Sequence, residues 1–187
     1  MEKLKKDILA LMRQVYPGDD RVIVFGEGPR GAKLMLIGEA PGQQEALMGR
    51  PFVGKAGRNL DAYIEATGLR REEMYVSNTV KFRPTRISAA GRTVNRTPSQ
   101  EEISMFLPFL KREIELVSPG MIVTLGNVPL RALLGPGITI GEVHGRLLKL
   151  GTTDLFPMYH PASVIYNQSL KPVYAEDMGK LAQNLKN

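Results

Sequence analysis

Apolar residues along this chain follow two rhythms. From Leu4 to Tyr16, "LKKDILALMRQVY", they return every three or four positions, which predicts one amphipathic helix that "YPGDD" terminates. The stretches "RVIVFGEG" (21–28), "KLMLIGEA" (33–40), "EMYVSNTVKF" (73–82), "GMIVTLG" (120–126) and "LFPMYHP" (155–161) are instead short and largely apolar, and each reads as a strand. The continuous run at 33–40 predicts burial on both faces. Between and after them the helical spacing returns, in "AGRNLDAYIEATG" (56–68), "TPSQEEISMFLPFLKREIELV" (97–117), "NVPLRALLG" (127–135) and "VYAEDMGKLAQNLK" (173–186). The helix at 97–117 opens on Thr97 or Ser99 followed by glutamates, a good cap, and Pro108 is expected to bend or break it. Strand and helix alternate, so the expected fold is α/β, a mainly parallel sheet with helices on both faces. "RPTRISAAGRTVNRTPS" (83–99) is polar and basic and is expected to be a long exposed loop. Neither a repeat nor a linker interrupts the pattern, so residues 1–187 are expected to form a single domain.

In open α/β sheets ligands sit beyond the carboxyl ends of the strands. The residues at those ends are Glu39, Asn78, Gly126 and His160, three of them suited to acid–base work or directional hydrogen bonding. Singly each has an ordinary reading as a turn, cap or structural residue. A parallel sheet would gather them at one edge. The glycines of "GEGPRG" (26–31) are spaced like a dinucleotide fingerprint but lead into a strand where a helix is required. "GEAPGQQE" lacks the Lys-Ser or Lys-Thr of a phosphate loop, and a carboxylate there would repel phosphate. The loop therefore reads as a wall that brings backbone amides and Glu39 against a neutral ring or a water. Phe52, in "GRPFVGKAG", is a candidate lid for that ring, with core packing as its ordinary alternative. Arg50, Lys55 and Arg58 surround it with charge suited to a phosphate backbone.

Composition narrows the classes further. Lys and Arg number 25 against 19 Asp and Glu, a formal +6 that favours a polyanionic partner. There is no cysteine and there are two histidines, which excludes disulfides and thiolate metal sites and leaves little for an imidazole-built one. No apolar run approaches the roughly 18 residues needed to span a bilayer. The N-terminal segment is too mixed in charge for a secretory signal. The expectation is a cytoplasmic, cofactor-free protein without membrane association.

Six segments in order, "IGEAPGQQE", "GRPFVGKAG", "YVSNTVKFRP", "NRTPSQEE", "VTLGNVPL" and "YHPASVI", resemble the family 4 uracil-DNA glycosylases over about residues 22–183. The resemblance implies a three-layer α/β/α sandwich with a central parallel sheet. It implies hydrolysis of the N-glycosidic bond of uracil in DNA after the nucleotide is flipped out, with another deaminated base as a possible further substrate. By the same resemblance Glu39 and the amides of Ala40 to Gly42 would hold the attacking water. Glu45 would exclude the thymine methyl, Phe52 would stack on the base and Asn78 would read its Watson–Crick edge. His160 would donate to the uracil oxygen that gains charge, making Glu39 and His160 the catalytic pair. Arg50, Lys55, Arg58 and Arg83 would face DNA, and Ser163, Val164, Ile165 and Tyr166 would fill the gap left by the flipped base. The protein would act as a monomer on uracil-containing DNA.

The chain also departs from that family. The family's 4Fe–4S cluster needs four cysteines, and Phe82 and Phe106 stand at two of their positions, so the cluster is expected to be absent and an apolar plug to take its place. His144 and Tyr166 replace arginines on the DNA side. The 84–95 loop is longer than usual, and it lacks the histidine that a related covalently reacting branch carries there. These departures keep a second reading open, a catalytically weak or inactive nucleic-acid-binding homologue that retains the base pocket.

Overall fold

The computed structural model describes residues 1–185. In chain order its elements are α1 (Glu2–Val15), β1 (Leu34–Gly38), α2 (Gln43–Met48), α3 (Lys55–Ala66), β2 (Tyr75–Asn78), β3 (Thr85–Ile87), β4 (Thr93–Asn95) and α4 (Gln100–Val117). There follow β5 (Met121–Leu125), α5 (Asn127–Leu134), α6 (Ile140–Val143), β6 (Leu148–Leu150), β7 (Thr153–Met158), α7 (Pro161–Tyr166) and α8 (Lys171–Asn184). The central sheet has the order β2-β1-β5-β7-β6; its first four strands are parallel and β6 runs antiparallel at one edge.

Side-chain alternation along these strands makes two buried faces. Leu34, Leu36, Val76, Val123, Leu125, Phe156 and Met158 pack with Leu60 and Ile64 of α3 and with Tyr174, Met178 and Leu181 of α8. Met35, Ile37, Tyr75, Ile122 and Leu155 point the other way, onto Leu110 and Val117 of α4 and Leu130 of α5. Helices therefore cover both faces, as the apolar strand β1 predicts. In α4, Ser99 accepts from Glu102 N–H while the Glu102 carboxylate accepts from Ser99 N–H, a reciprocal cap. The helix runs through Pro108 unbroken. That residue lies on the exposed side, where water can replace the hydrogen bond its ring removes.

Two expectations are corrected. Residues 21–28 are not a strand: beside β2 they make a single antiparallel bridge, Glu27 with Val76. Val24 is buried there and its N–H donates to Lys81 O, so the run covers the sheet edge without building a ladder. The 83–99 stretch is not all loop, since β3 and β4 pair as an antiparallel hairpin with the exposed Ile87 on it.

A third cluster joins Leu4, Ile8 and Met12 of α1 to Val80, Phe82 and Phe106. Phe82 and Phe106, both fully buried, meet edge to face at 5.7 Å, and Tyr16 meets Phe82 in the same manner at 5.9 Å. The Arg21 guanidinium lies 4.3 Å from the ring centres of both Tyr16 and Phe82, held by Asp19. This donor set does not fit an iron–sulfur cluster. Four thiolates are required, and interlocked rings occupy the positions at Phe82 and Phe106.

Candidate functional site

The strand order reverses direction of travel at β1: the connection from β1 leads to β2 on one side, and β5 and β7 lie on the other. Such a switch point opens a crevice at the carboxyl ends of the strands. Glu39, Asn78 and Gly126 follow or end β1, β2 and β5, and His160 follows β7, so the sheet gathers all four at one edge. Gly126 packs on His160, with an added Cβ falling 3.2 Å from the histidine Cβ.

A cavity of about 250 Å³ opens at this edge, lined by Ala40, Gly42, Glu45, Phe52, Asn78 and Lys55 together with Asn95, Ala162, Ile165 and Tyr166. Its floor is Gly38. Gly38 pairs with Asn78 in the sheet, and a Cβ on it would lie 2.5 Å from both Asn78 Oδ1 and Phe52 Cζ. The amide of Asn78 and the edge of the Phe52 ring therefore close over the same backbone carbon, which only glycine allows. Phe52 is buried and holds a left-handed backbone, φ 53°, a conformation that costs a bulky residue on the order of 1 kcal/mol or more. Gly57 secures it, because a Cβ there would lie 1.8 Å from the Phe52 carbonyl oxygen.

Glu45 is buried and joins two loops, accepting from Gly54 N–H at 2.7 Å and from Gly42 N–H at 3.1 Å. The latter bond corrects one detail of the expected water site. Gly42 lines the cavity, but its amide is engaged by Glu45, and Pro41 has no N–H; within 40–42 the amide left to a water is that of Ala40.

Neither Glu39 nor His160 lines the cavity directly: Glu39 immediately precedes the lining residue Ala40, and His160 lies behind Phe52 and two residues before Ala162. Glu39 is half-buried, and desolvation holds its carboxyl above the usual range, with Thr97 acting in the opposite sense. His160 begins α7 and its ring lies 6.0 Å from that of Phe52. Its Nδ1 accepts from Ala162 N–H at 3.2 Å, so the neutral ring carries its proton on Nε2. Burial lowers its pKa to about 4, against the opposing charge of Glu45. The imidazole is therefore a neutral donor at physiological pH.

The charged rim is less uniform than the sequence suggests. Lys55 lines the cavity and Arg58 is exposed beside it. Arg50 is instead in a two-bond pair with Glu27, at 2.9 and 3.0 Å, so its charge is largely offset. Arg83 donates to Asn95 Oδ1 at 2.7 Å and so braces the hairpin at the cavity wall. Within 163–166 the structure splits the expected wedge. Ile165 and Tyr166 line the cavity and Tyr166 is 87% exposed, whereas Val164 is 1% exposed and belongs to the core. Helical geometry turns Val164 inward as it turns its neighbours out, so Val164 is withdrawn from the DNA-facing set. His144, expected on the DNA side, pairs through Nδ1 with the buried Asp177 at 2.7 Å and stacks near Tyr159.

Sequence reasoning missed the pocket floor at Gly38, the Asn95 wall and the buried pair Lys81–Glu113 behind Asn78. Only Gly38 left a signal, as a glycine ending an apolar strand.

Comparison with known proteins places the whole chain in a family. Residues 25–182 match the family model of the Uracil DNA glycosylase superfamily. A type-4 uracil-DNA glycosylase of Sulfurisphaera tokodaii is 34% identical over 98% of this chain and 84% of its own length. Another, from Saccharolobus solfataricus, is 38% identical over 87% of this chain and 76% of its own. Among solved structures, wild-type Pedobacter heparinus SMUG2 superposes with a TM-score of 0.57 at 15% identity, covering 100% of this chain and 83% of that one. That likeness concerns the fold.

Proposed function

Because the chain belongs to the uracil DNA glycosylase superfamily, we propose that it hydrolyses the N-glycosidic bond of uracil in DNA, with a flipped base stacked on the Phe52 ring and its edge turned to Asn78. The observation that carries this reading is the meeting of the Asn78 amide and the Phe52 ring on one glycine, at the switch point of the sheet. A carboxamide presents both a donor and an acceptor, matching uracil O4 and N3–H and, in the same orientation, mismatching cytosine. Extrusion costs a few kcal/mol, which stacking and edge hydrogen bonds offset.

Cleavage of an N-glycosidic bond leaves a cationic sugar and an anionic base. The site should therefore stabilise two opposite charges and has no need of a strong nucleophile. A neutral His160 donating from Nε2 suits the base oxygen on which negative charge grows. Glu39, when ionised, suits the sugar side, stabilising the cation and orienting a water with the help of the Ala40 amide. Glu45 holds the two loops that shape the wall. Lys55, Arg58 and Arg83 would meet phosphates, and Ile165 with Tyr166 would fill the vacated stack. The reading needs no cofactor, and the aromatic cluster around Phe82 does the structural work of a metal centre.

The deciding experiment is release of uracil from a fluorescent single-stranded oligonucleotide with one uracil. The wild type is expected to cleave. His160→Ala should lose roughly 10²–10³-fold in rate, the size of one lost charge-stabilising donor, and Asn78→Ala should lose activity with it. Tight binding without release, across uracil, hypoxanthine and xanthine, would establish the binding homologue instead.

A further inference from the structure

Directly behind Asn78 lies an ion pair with almost no access to water. Lys81 is 1% and Glu113 is 3% exposed, and Lys81 Nζ reaches Glu113 Oε2 at 2.6 Å. The other two ammonium protons are also used, on Ser77 Oγ at 2.7 Å and on the backbone oxygen of Asn78 at 2.8 Å. Glu113 in turn accepts from Ser77 Oγ–H at 2.9 Å and from Tyr75 O–H at 3.0 Å. Gly26 closes the third side, since a Cβ on it would lie 2.5 Å from Glu113 Oε1.

Stability alone gives a poor account of this arrangement. A buried pair loses about as much in desolvation as it gains in attraction, and well-packed apolar replacements are often neutral or better. Its location is informative. All its β2 partners, Tyr75, Ser77 and Asn78, are on the strand that ends at the pocket, and Glu113 belongs to α4 on the sheet's other face. After Asn78 the chain leaves the ladder, and Thr79 and Val80 are held by the carbonyls of Gly38 and Glu39. Lys81 then reaches back to bind the Asn78 carbonyl, and the next residue, Phe82, anchors on Phe106, also of α4.

Resting on the reading of Asn78 as the base reader, we infer that the Lys81–Glu113 pair is a positioning device that fixes the backbone of Asn78, and with it the point from which its side chain enters the pocket. This fixation matters chemically. A backbone that shifts here carries the amide's donor and acceptor out of reach of a base edge that hydrogen bonds must meet at about 3 Å. Both Lys81 and Glu113 are positioning residues, which touch no substrate.

The test compares Lys81→Met, Glu113→Gln and the paired Lys81→Met/Glu113→Leu in single-turnover uracil release. Each is also made in the Asn78→Ala background, with thermal unfolding recorded for every variant. Lys81→Met alone leaves a buried carboxylate and is expected to fold poorly; the paired apolar variant restores the melting temperature. That paired variant should still lose about tenfold or more in the single-turnover rate constant, with a smaller change in the enzyme concentration that half-saturates it. In the Asn78→Ala background the same exchange should cost less than about twofold, because the residue it serves is gone. A second readout is independent of activity. The side-chain NH₂ resonance of Asn78, assigned by its loss in Asn78→Ala, should shift or broaden in the paired variant. An unchanged resonance, or full activity in the paired variant, overturns the inference. So does an equal loss in both backgrounds. Wild-type activity that survives Asn78→Ala overturns the reading of the base site itself, and the resonance then decides the positioning role by itself.

Discussion

Consider the replacement of His160 by glutamine, which removes an imidazole the fold keeps neutral. The ordinary histidine pKa of 6.5 falls to about 4 in the folded protein, first through burial. Above pH 6.5 the ring is neutral in folded and unfolded chains alike, so titration adds nothing. Below it the unfolded chain takes up a proton that the folded one refuses, and stability is lost as the pH falls from 6.5 toward 4. At about 1.4 kcal/mol per unit of pKa, the full loss is about 3 kcal/mol, of which about 2 kcal/mol has gone by pH 5. The assay is urea unfolding of wild type and His160→Gln at half-unit steps from pH 8 to 4.5. Glu39 and Asp177 have raised pKa values and act in the opposite direction, favouring the folded state on acidification. Both are present in the two proteins, so the difference between the curves isolates the histidine. The wild type should lose about 2 kcal/mol more than the variant between pH 8 and 5. Parallel curves would refute the burial argument, and with it the neutral donor on which the proposed chemistry depends.

Other consequences follow from the same geometry. The rate of uracil release should fall on the acid side with a midpoint above the usual carboxylate range, because Glu39 must be ionised and burial raises its pKa; Glu39→Gln should abolish that limb in single-turnover pH profiles. Gly38→Ala should destabilise by about 1–3 kcal/mol, the range of an overpacked core, and should abolish release, since its Cβ falls 2.5 Å from Asn78 Oδ1 and Phe52 Cζ; a fully active variant would contradict the pocket floor. Phe106→Ala should cost about 3–5 kcal/mol in denaturant unfolding, as Phe106 is fully buried, and elemental analysis of the wild type should find no stoichiometric iron, since the chain has no cysteine. Tyr166→Ala, at an 87% exposed position, should leave the melting temperature unchanged and reduce cleavage of double-stranded substrate more than of single-stranded.

Much of this architecture was legible in the order of residues. Apolar runs such as Leu34–Gly38 and Met121–Leu125 could be read as strands because both faces of a central parallel strand are covered, so nothing polar interrupts them. The cap at Ser99 could be read because it is made within four residues. The candidate edge could be named for the same reason: in a parallel sheet the carboxyl ends share one side, so the residue after each strand is a candidate wherever the strand stands. What lay beyond reach were contacts between residues distant in sequence. Nothing in "RVIVFGEG" says that it will make one bridge at the edge of β2 instead of a ladder, because its apolar residues are satisfied equally by either. Arg50 looked free until the fold placed Glu27 against it, and Val164 looked like part of a wedge until the turn of α7 put it in the core. Lys81 and Glu113 are 32 positions apart, and each alone would be read as solvated. Local periodicity encodes which face a residue occupies. Which charge meets which, and which glycine lies beneath a ring, is settled only when the sheet brings its strands into register.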